Sequence, residues 1–322
     1  MKLSIVIPTY NRAKELDEAL DSVISQTSLP EEVIIVDDSD DDAVENLTGR
    51  RGSEFEEKGV FLRYIRNKRE KSLTIARNIG IESATGDIIL FLDDDVVLDK
   101  DYIKEILRVY EEEPDALGVQ GYITNVSLPR RWNAINKILF LGHLEKNRCS
   151  VLPSTNTTYP YPLERTISCE WLSGSNQSYK RSVLERFRYD ENLKRYSYKE
   201  DVDLSYRVYR QHPDSLYMTP HAKLVHKTSQ EARLPDRVLI HMQQIHSLYF
   251  FYKNIDQSIM NKLTFLWCKA GYLLVNVGDV ITHYSNEKFL KLKYIIGAYI
   301  ACMKHAKELK RGELDFFNRR LE

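Results

Sequence analysis

Apolar and polar positions along the chain follow two periods. Residues 3–8 (LSIVIP), 32–36 (EVIIV), 60–65 (VFLRYI), 88–92 (IILFL) and 116–123 (ALGVQGYI) are short apolar runs, the pattern of buried strands. Between them the period lengthens. Residues 12–26 place Leu16, Leu20, Val23 and Ile24 on one helical stripe, with Asn11 positioned to cap it. Helices are also predicted over 72–84, ahead of a turn at Gly86, and over 99–112, where Asp99 stands at the cap and Pro114 follows the end. Strand–helix–strand alternation with short links predicts an α/β fold, a mainly parallel sheet with helices on both faces.

The second half is less regular. Residues 149–166 (CSVLPSTNTTYPYPLERT) read as a long loop, followed by strands at 167–172 and 175–179, a helix at 199–211 and strands at 215–219 and 222–227. From 236 onward the pattern is helical, with segments at 236–254, 258–283 and 286–310, so the expected division is 1–228 and 229–322. No apolar run reaches the ~18 residues of a membrane span; residues 263–281 come nearest, interrupted by Lys269 and Asp279.

Composition narrows the classes. The chain has 322 residues, 43% hydrophobic, with a net charge of −1, which gives no global field to select nucleic acid. The charge is unevenly placed: from 229 onward there are 14 Lys and Arg against 9 Asp and Glu, a hint of an anionic surface near that end. The four cysteines form no Cys-x-x-Cys pair, and MKLSIVIPTYN is too short an apolar run for a signal peptide. Both features lead to the expectation of a cytoplasmic protein.

The unusual chemistry lies at the strand ends. Asp37 and Asp38 close the second strand, and Asp93, Asp94 and Asp95 follow the fourth. Ligands of open parallel sheets bind beyond these carboxyl ends. Each close pair of like charges costs about 1 kcal/mol even in water. A divalent cation bridging carboxylates to phosphate offsets that cost; a solvated turn is the plainer alternative. Arg77, on the helix between the last two strands, suits either a phosphate or the acidic rim itself.

Five stretches in order, SIVIPTYNR, IIVDDSDDD, ARNIGIESATGDIILFLDDD, WLSGSNQSYKRSVLERF and YKEDVDLSYRV, resemble the inverting family 2 glycosyltransferases of GT-A fold, over about residues 1–228. The resemblance implies a nucleoside diphosphate sugar as donor and Mg2+ or Mn2+ as cofactor. It matches Pro8, Thr9 and Tyr10 to the loop around the base, Asp37 to the acid that accepts from the base, and Asp38 to the same loop. Asp93 then approaches the ribose and Asp95 binds the metal, with Asp94 between them, and His226 completes the metal shell. Trp171, Gly174, Ser175, Asn176 and Glu200 border the donor sugar and acceptor, and Asp201 is the catalytic base. Ser39 stands where the family usually has a glycine.

Plainer readings accompany these. Trp171 suits core packing, Asp201 a helix start, and Asp203 with Arg207 an i,i+4 pair. Two other functions remain open: a sugar-phosphate nucleotidyltransferase, although PTYNRAKE lacks that class's Gly-rich loop, and a non-catalytic module binding glycan or nucleotide sugar. The aromatic and basic helices at the end of the chain suit packing on the catalytic domain, a homodimer, or a membrane surface at the cytoplasmic face that would serve a lipid-linked acceptor.

Overall fold

The computed structural model describes residues 1–126, 128–228 and 234–319. They fall into two compact units. The first comprises Met1–Val126, Pro162–Arg195 and Glu200–Arg233; the second comprises Ser127–Tyr161, Tyr196–Lys199 and Leu234–Glu322. The units thus interleave along the sequence, where the expected division was a single cut after 228.

The first unit begins with β1 (Leu3–Thr9), α1 (Ala13–Ile24), β2 (Glu32–Asp37), α2 (Ala43–Glu57), β3 (Phe61–Arg66), α3 (Leu73–Ser83), β4 (Ile88–Phe91), β5 (Val96–Leu98), α4 (Tyr102–Glu112) and β6 (Gly118–Ile123). The second unit contributes α5 (Arg130–Ile138), β7 (His143–Glu145) and β8 (Thr158–Pro160). The first resumes with β9 (Ile167–Ser168), β10 (Gln177–Lys180), α6 (Arg181–Arg186), α7 (Glu200–Gln211) and β11 (Leu216–His226). Helices α8 (Asp236–Asn254), α9 (Ile259–Thr282), α10 (Asn286–Lys304), α11 (Ala306–Arg311) and α12 (Asp315–Asn318) complete the second unit.

One sheet of order β3-β2-β1-β4-β10-β6-β11-β5 organises the first unit. β3, β2, β1 and β4 run parallel, β6 is parallel to β11, and β10 enters antiparallel between β4 and β6. The chain passes outward from β1 to β2 and β3, then returns to place β4 on the other side of β1. That switch opens a crevice beyond the ends of β1 and β4. β1, β2 and β4 are buried along their whole length, and their Ile, Val and Leu runs supply the core.

The differences from the sequence reading have local causes. Asn11 does not cap α1: it sits at φ 54° and its side chain bonds Asp40, so the helix begins after Arg12. Asp99 does not cap α4 either; Asp101 occupies that position, and Asp99 accepts from the Lys100 N–H. The two strands expected near 215–227 are one strand, β11, broken in register between Met218 and Lys223. Helix α2 was missed because only Val44, Leu47, Thr48 and Phe55 of its 15 residues are buried, too sparse for a stripe. The long helix expected over 286–310 divides at His305.

α3 lies unusually close to β1, and this sets the position of Arg77. A Cβ added at Gly80 would come within 2.2 Å of Val6 Cγ1, in the middle of a buried strand. Gly80→Ala gains about 0.5–1 kcal/mol of helix propensity but forces α3 off the sheet. We expect a net loss of ~1–2 kcal/mol, read as a lower urea midpoint with unchanged slope.

Candidate active site

Three carboxylates follow β4, each beside a basic side chain. Asp94 is buried; its oxygens accept from Thr9 Oγ1 at 2.8 Å and Arg12 Nη1 at 3.2 Å. Burial pushes its carboxyl up to about 7, with Arg12 and Thr9 pulling the other way. Asp93 faces Arg77 at 3.1 Å, and Asp95 faces His226 Nε2 at 3.0 Å. Pairing of β11 with β5 brings His226 opposite Val96, one residue past Asp95. Burial works against a charged His226, but the Asp95 bond and the Asp93 charge outweigh it and raise its pKa.

Asp93, Asp95 and His226 each present one ligand atom, all within 4.8 Å of one another. Two carboxylates and an imidazole suit a divalent ion such as Mn2+ or Mg2+, so the donor set present here fits such an ion. Asp94 is not part of that set. Its oxygens tie the acidic turn to β1 and the start of α1.

Arg77 is 1% exposed and joins three segments. Nη1 donates to Glu200 at 2.9 Å, while Nη2 donates to Asp93 at 3.1 Å and to the Gly174 carbonyl at 3.0 Å. The guanidinium lies 5.3 Å from the centroid of the Tyr189 ring. Burial opposes its charge, but Tyr189, Glu200, Asp93 and Asp201 hold it protonated and raise its pKa. Burial and the neighbouring Asp201 push Glu200 up to about 7 against the pull of Arg77. Of the two partners the sequence offered Arg77, phosphate or acidic rim, the structure places it against the rim.

Asp201 opens α7 beside this cluster. Its Oδ2 accepts the Gly174 N–H at 2.8 Å and its Oδ1 the Val202 N–H at 2.7 Å, which fixes the carboxylate plane. An added Cβ at Gly174 would crowd this contact, meeting Arg77 Nη2 at 3.0 Å and Asp201 Cβ at 3.2 Å, so both neighbours would have to shift by a few tenths of an ångström. Ser175 passes its carbonyl to the Asp93 N–H at 3.3 Å, so the same loop also holds the acidic turn. Asn176 and Trp171 are buried at 0% and 8% exposure, which leaves them as parts of the wall behind that loop.

On the other side of β1, the loop after Thr9 is laced to the loop after β2. Tyr10 is 40% exposed; its hydroxyl donates to Asp40 at 2.8 Å, and the Lys71 ammonium lies 5.4 Å from its ring centroid. The Asn11 N–H donates to Ser39 Oγ, Asn11 exchanges bonds with Asp40, and Lys71 also pairs with Asp40. Pro8, still within β1, is buried. Asp37, expected to accept from a base, has no exposed surface: its oxygens take the Ser39 N–H and the Tyr64 hydroxyl, both at 2.8 Å. An accepting role toward a base would require Tyr64 to release it. Asp38 accepts from Asn67 at 2.6 Å and from the Ser72 N–H at 3.0 Å.

The structure therefore brings Asp93, Asp95, His226, Arg77, Glu200, Asp201 and Gly174 together. Arg12, Tyr64, Asn67 and Tyr189 were missed. Arg12 carried a signal: a cation at the start of a helix opposes the dipole and needs another reason to be there.

Residues 4–188 match the family model described as glycosyl transferase family 2. The glucosyl-dolichyl phosphate glucuronosyltransferase of Haloferax volcanii is 27% identical over 236 residues, covering 70% of this chain and 69% of that protein. Four other relatives match over 34–38% of this chain, and the matches span 17–36% of their length. The structure of S. aureus TarS 1–349 in complex with UDP-GlcNAc aligns with a TM-score of 0.57 at 15% identity, covering 93% of this chain and 81% of that one. The Pyrobaculum calidifontis mannosyltransferase PcManGT in complex with GDP-Man and Mn2+ aligns with a TM-score of 0.58 at 16% identity, covering 93% and 86%. The architecture shared with these structures is the GT-A fold.

Burial pushes Asp38 up to about 6 from an ordinary 3.8, with the Asn67 and Ser72 bonds opposing. The native state holds that proton more tightly than the unfolded chain. The stability this adds is therefore full below about pH 4 and is lost as pH rises to about 6. Across that window the wild type should lose about 3 kcal/mol more stability than Asp38→Asn, measured by urea unfolding of both proteins at each pH.

Proposed function

Because this chain belongs to glycosyl transferase family 2, we propose that it moves one sugar, with inversion, from a nucleoside diphosphate sugar to an acceptor hydroxyl. The single observation that carries this reading is the shared anchorage of Asp201 and Asp93. One carboxylate is bonded to the Gly174 N–H, the other to the guanidinium that holds the Gly174 carbonyl. A proton acceptor and a corner of the cation site are thereby fixed to the same residue.

In this reading Asp201 accepts the proton of the acceptor hydroxyl as its oxygen forms a bond to the anomeric carbon. The bond from that carbon to the diphosphate oxygen breaks on the opposite face, and its electron pair leaves with the diphosphate. General-base assistance of this kind is worth ~10²–10⁴-fold. Asp93, Asp95 and His226 would hold Mg2+ or Mn2+, which when bound supplies Lewis-acid stabilisation of the departing diphosphate. Glu200 is a positioning residue that acts through Arg77. Tyr10 offers its exposed ring to the base, and the loop at Gly174, bonded to Asp201, borders the donor sugar and acceptor.

The acceptor is a glycan or a lipid-linked sugar. The lipid-linked reading draws support from the Haloferax volcanii relative, whose name specifies a glucosyl-dolichyl phosphate substrate. The transfer chemistry belongs to the first unit, and the C-terminal helices form an extension that serves packing, self-association or attachment to a membrane surface.

Asp201→Asn should lower transfer at least ~100-fold while nucleoside diphosphate binding with Mn2+, followed by thermal shift, stays within about twofold of wild type. Loss of neither would contradict general-base catalysis by Asp201. Loss of both in a folded protein would assign Asp201 to donor binding. Nucleotide binding without any transfer or hydrolysis of donor sugars by the wild type would favour the non-catalytic alternative.

A further inference from the structure

We propose that the second unit docks on the surface of anionic lipid bilayers through the outward face of α9. The inference deepens the lipid-linked reading of the acceptor, but its observations lie wholly in this unit. Along α9, Met260, Leu263, Trp267, Leu274 and Ile281 recur at steps of three and four or their sum, with Ala270 and Val277 filling the intervening places. This places them on one stripe that runs the length of the helix. The five large side chains are 53–76% exposed. The opposite face, with Phe265 and Asn276, is buried within the unit, and Gly271 at the border of the stripe is covered by Leu139. The apolar surface continues onto α5: Trp267 Nε1 donates to the Ile138 carbonyl at 3.0 Å, and Ile138 is 67% exposed. Contiguous apolar surface of this kind marks a site of protein or membrane contact.

Charge selects the occupant. The second unit holds 19 Lys and Arg against 9 Asp and Glu, a net of +10, whereas the first holds 27 against 38, a net of −11. Lys262, Lys291, Lys293 and Lys304 on α9 and α10 are exposed, as are Arg131 and Lys137 on α5. A self-complementary contact through this face would set two units of +10 against each other. An anionic bilayer supplies the opposite charge together with an apolar layer for the stripe. Among the described residues no helix is long and apolar enough to cross a membrane, and α9 itself carries Lys262, Lys269 and Asp279. The geometry therefore assigns it a position in the interface plane.

The test is flotation of the full chain with phosphatidylcholine vesicles, with and without phosphatidylglycerol. Neither nucleotide nor acceptor is added, so failure here leaves the transferase reading standing, and failure of transfer leaves this one standing. Wild type should float with the anionic vesicles and release at high salt. Leu263→Glu with Leu274→Glu, both at exposed positions, should cut partitioning by ~10-fold or more with unchanged circular dichroism and melting temperature. Wild type that stays at the bottom of the gradient, or a folded double variant that floats as well as wild type, would overturn the proposal. So would a lipid-free dimer in sedimentation that the same variant dissociates without any vesicle binding.

Discussion

A guanidinium removed from water must find several acceptors at once, and Arg77 finds them on three separate stretches of chain. Glu200 belongs to the start of α7, Asp93 to the turn after β4, and the Gly174 carbonyl to the loop before β10. None of these stretches is near another in sequence. Their meeting point is fixed by α3, which can lie tightly on β1 because Gly80 presents no side chain there. A buried ion pair contributes little net stability, yet removing one partner costs ~3–5 kcal/mol because the others stay buried and charged. Arg77 is therefore better understood as a positional constraint than as a source of stability.

The acidic rim follows the same logic. Three adjacent carboxylates repel, and the fold answers with three basic groups among them: Arg77 at Asp93, Arg12 nearest Asp94 and also 3.9 Å from Asp95, and His226 nearest Asp95 and also 3.9 Å from Asp93. Arg12 and Arg77 also serve as structural ties. The imidazole differs, because only its neutral form could serve as a ligand in the proposed reading. Asp93, Asp95 and His226 converge within 4.8 Å of one another, a set that would hold a divalent ion in the proposed reading. Asp94 stays apart from that set, held by Thr9 and Arg12.

Much of this was legible in the sequence, for physical reasons. The β1, β2 and β4 runs are buried on both faces and so read as unbroken apolar stretches. The position of His226 at the end of its strand and the i,i+4 pair of Asp203 with Arg207, observed at 2.9 Å, were local patterns and came through. What failed was long-range. No local pattern shows that Asp37 will be sealed by Tyr64, 27 positions away, or that Arg77 will turn inward to residues 16 and 123 positions distant. Asn11 was misread for the same reason: its side chain had a cap within reach, but the Asp40 loop competed for it and won. The interleaving of the two units was hidden too, because no described side chain of α5 is buried and nothing local in 130–138 shows which unit it joins.

In the proposed reading, Arg77 sets the geometry of a cation site that it does not itself form. Titration of Mn2+ into wild type and Arg77→Lys, followed by the electron paramagnetic resonance of the free ion, tests this directly. Lysine keeps the charge but cannot donate to Glu200, Asp93 and the Gly174 carbonyl together. In a folded Arg77→Lys protein the account predicts Mn2+ affinity lowered ~10-fold or more, as for loss of an outer-shell partner. Unchanged affinity in that folded protein would show that the acidic turn holds its shape alone, and would contradict the account.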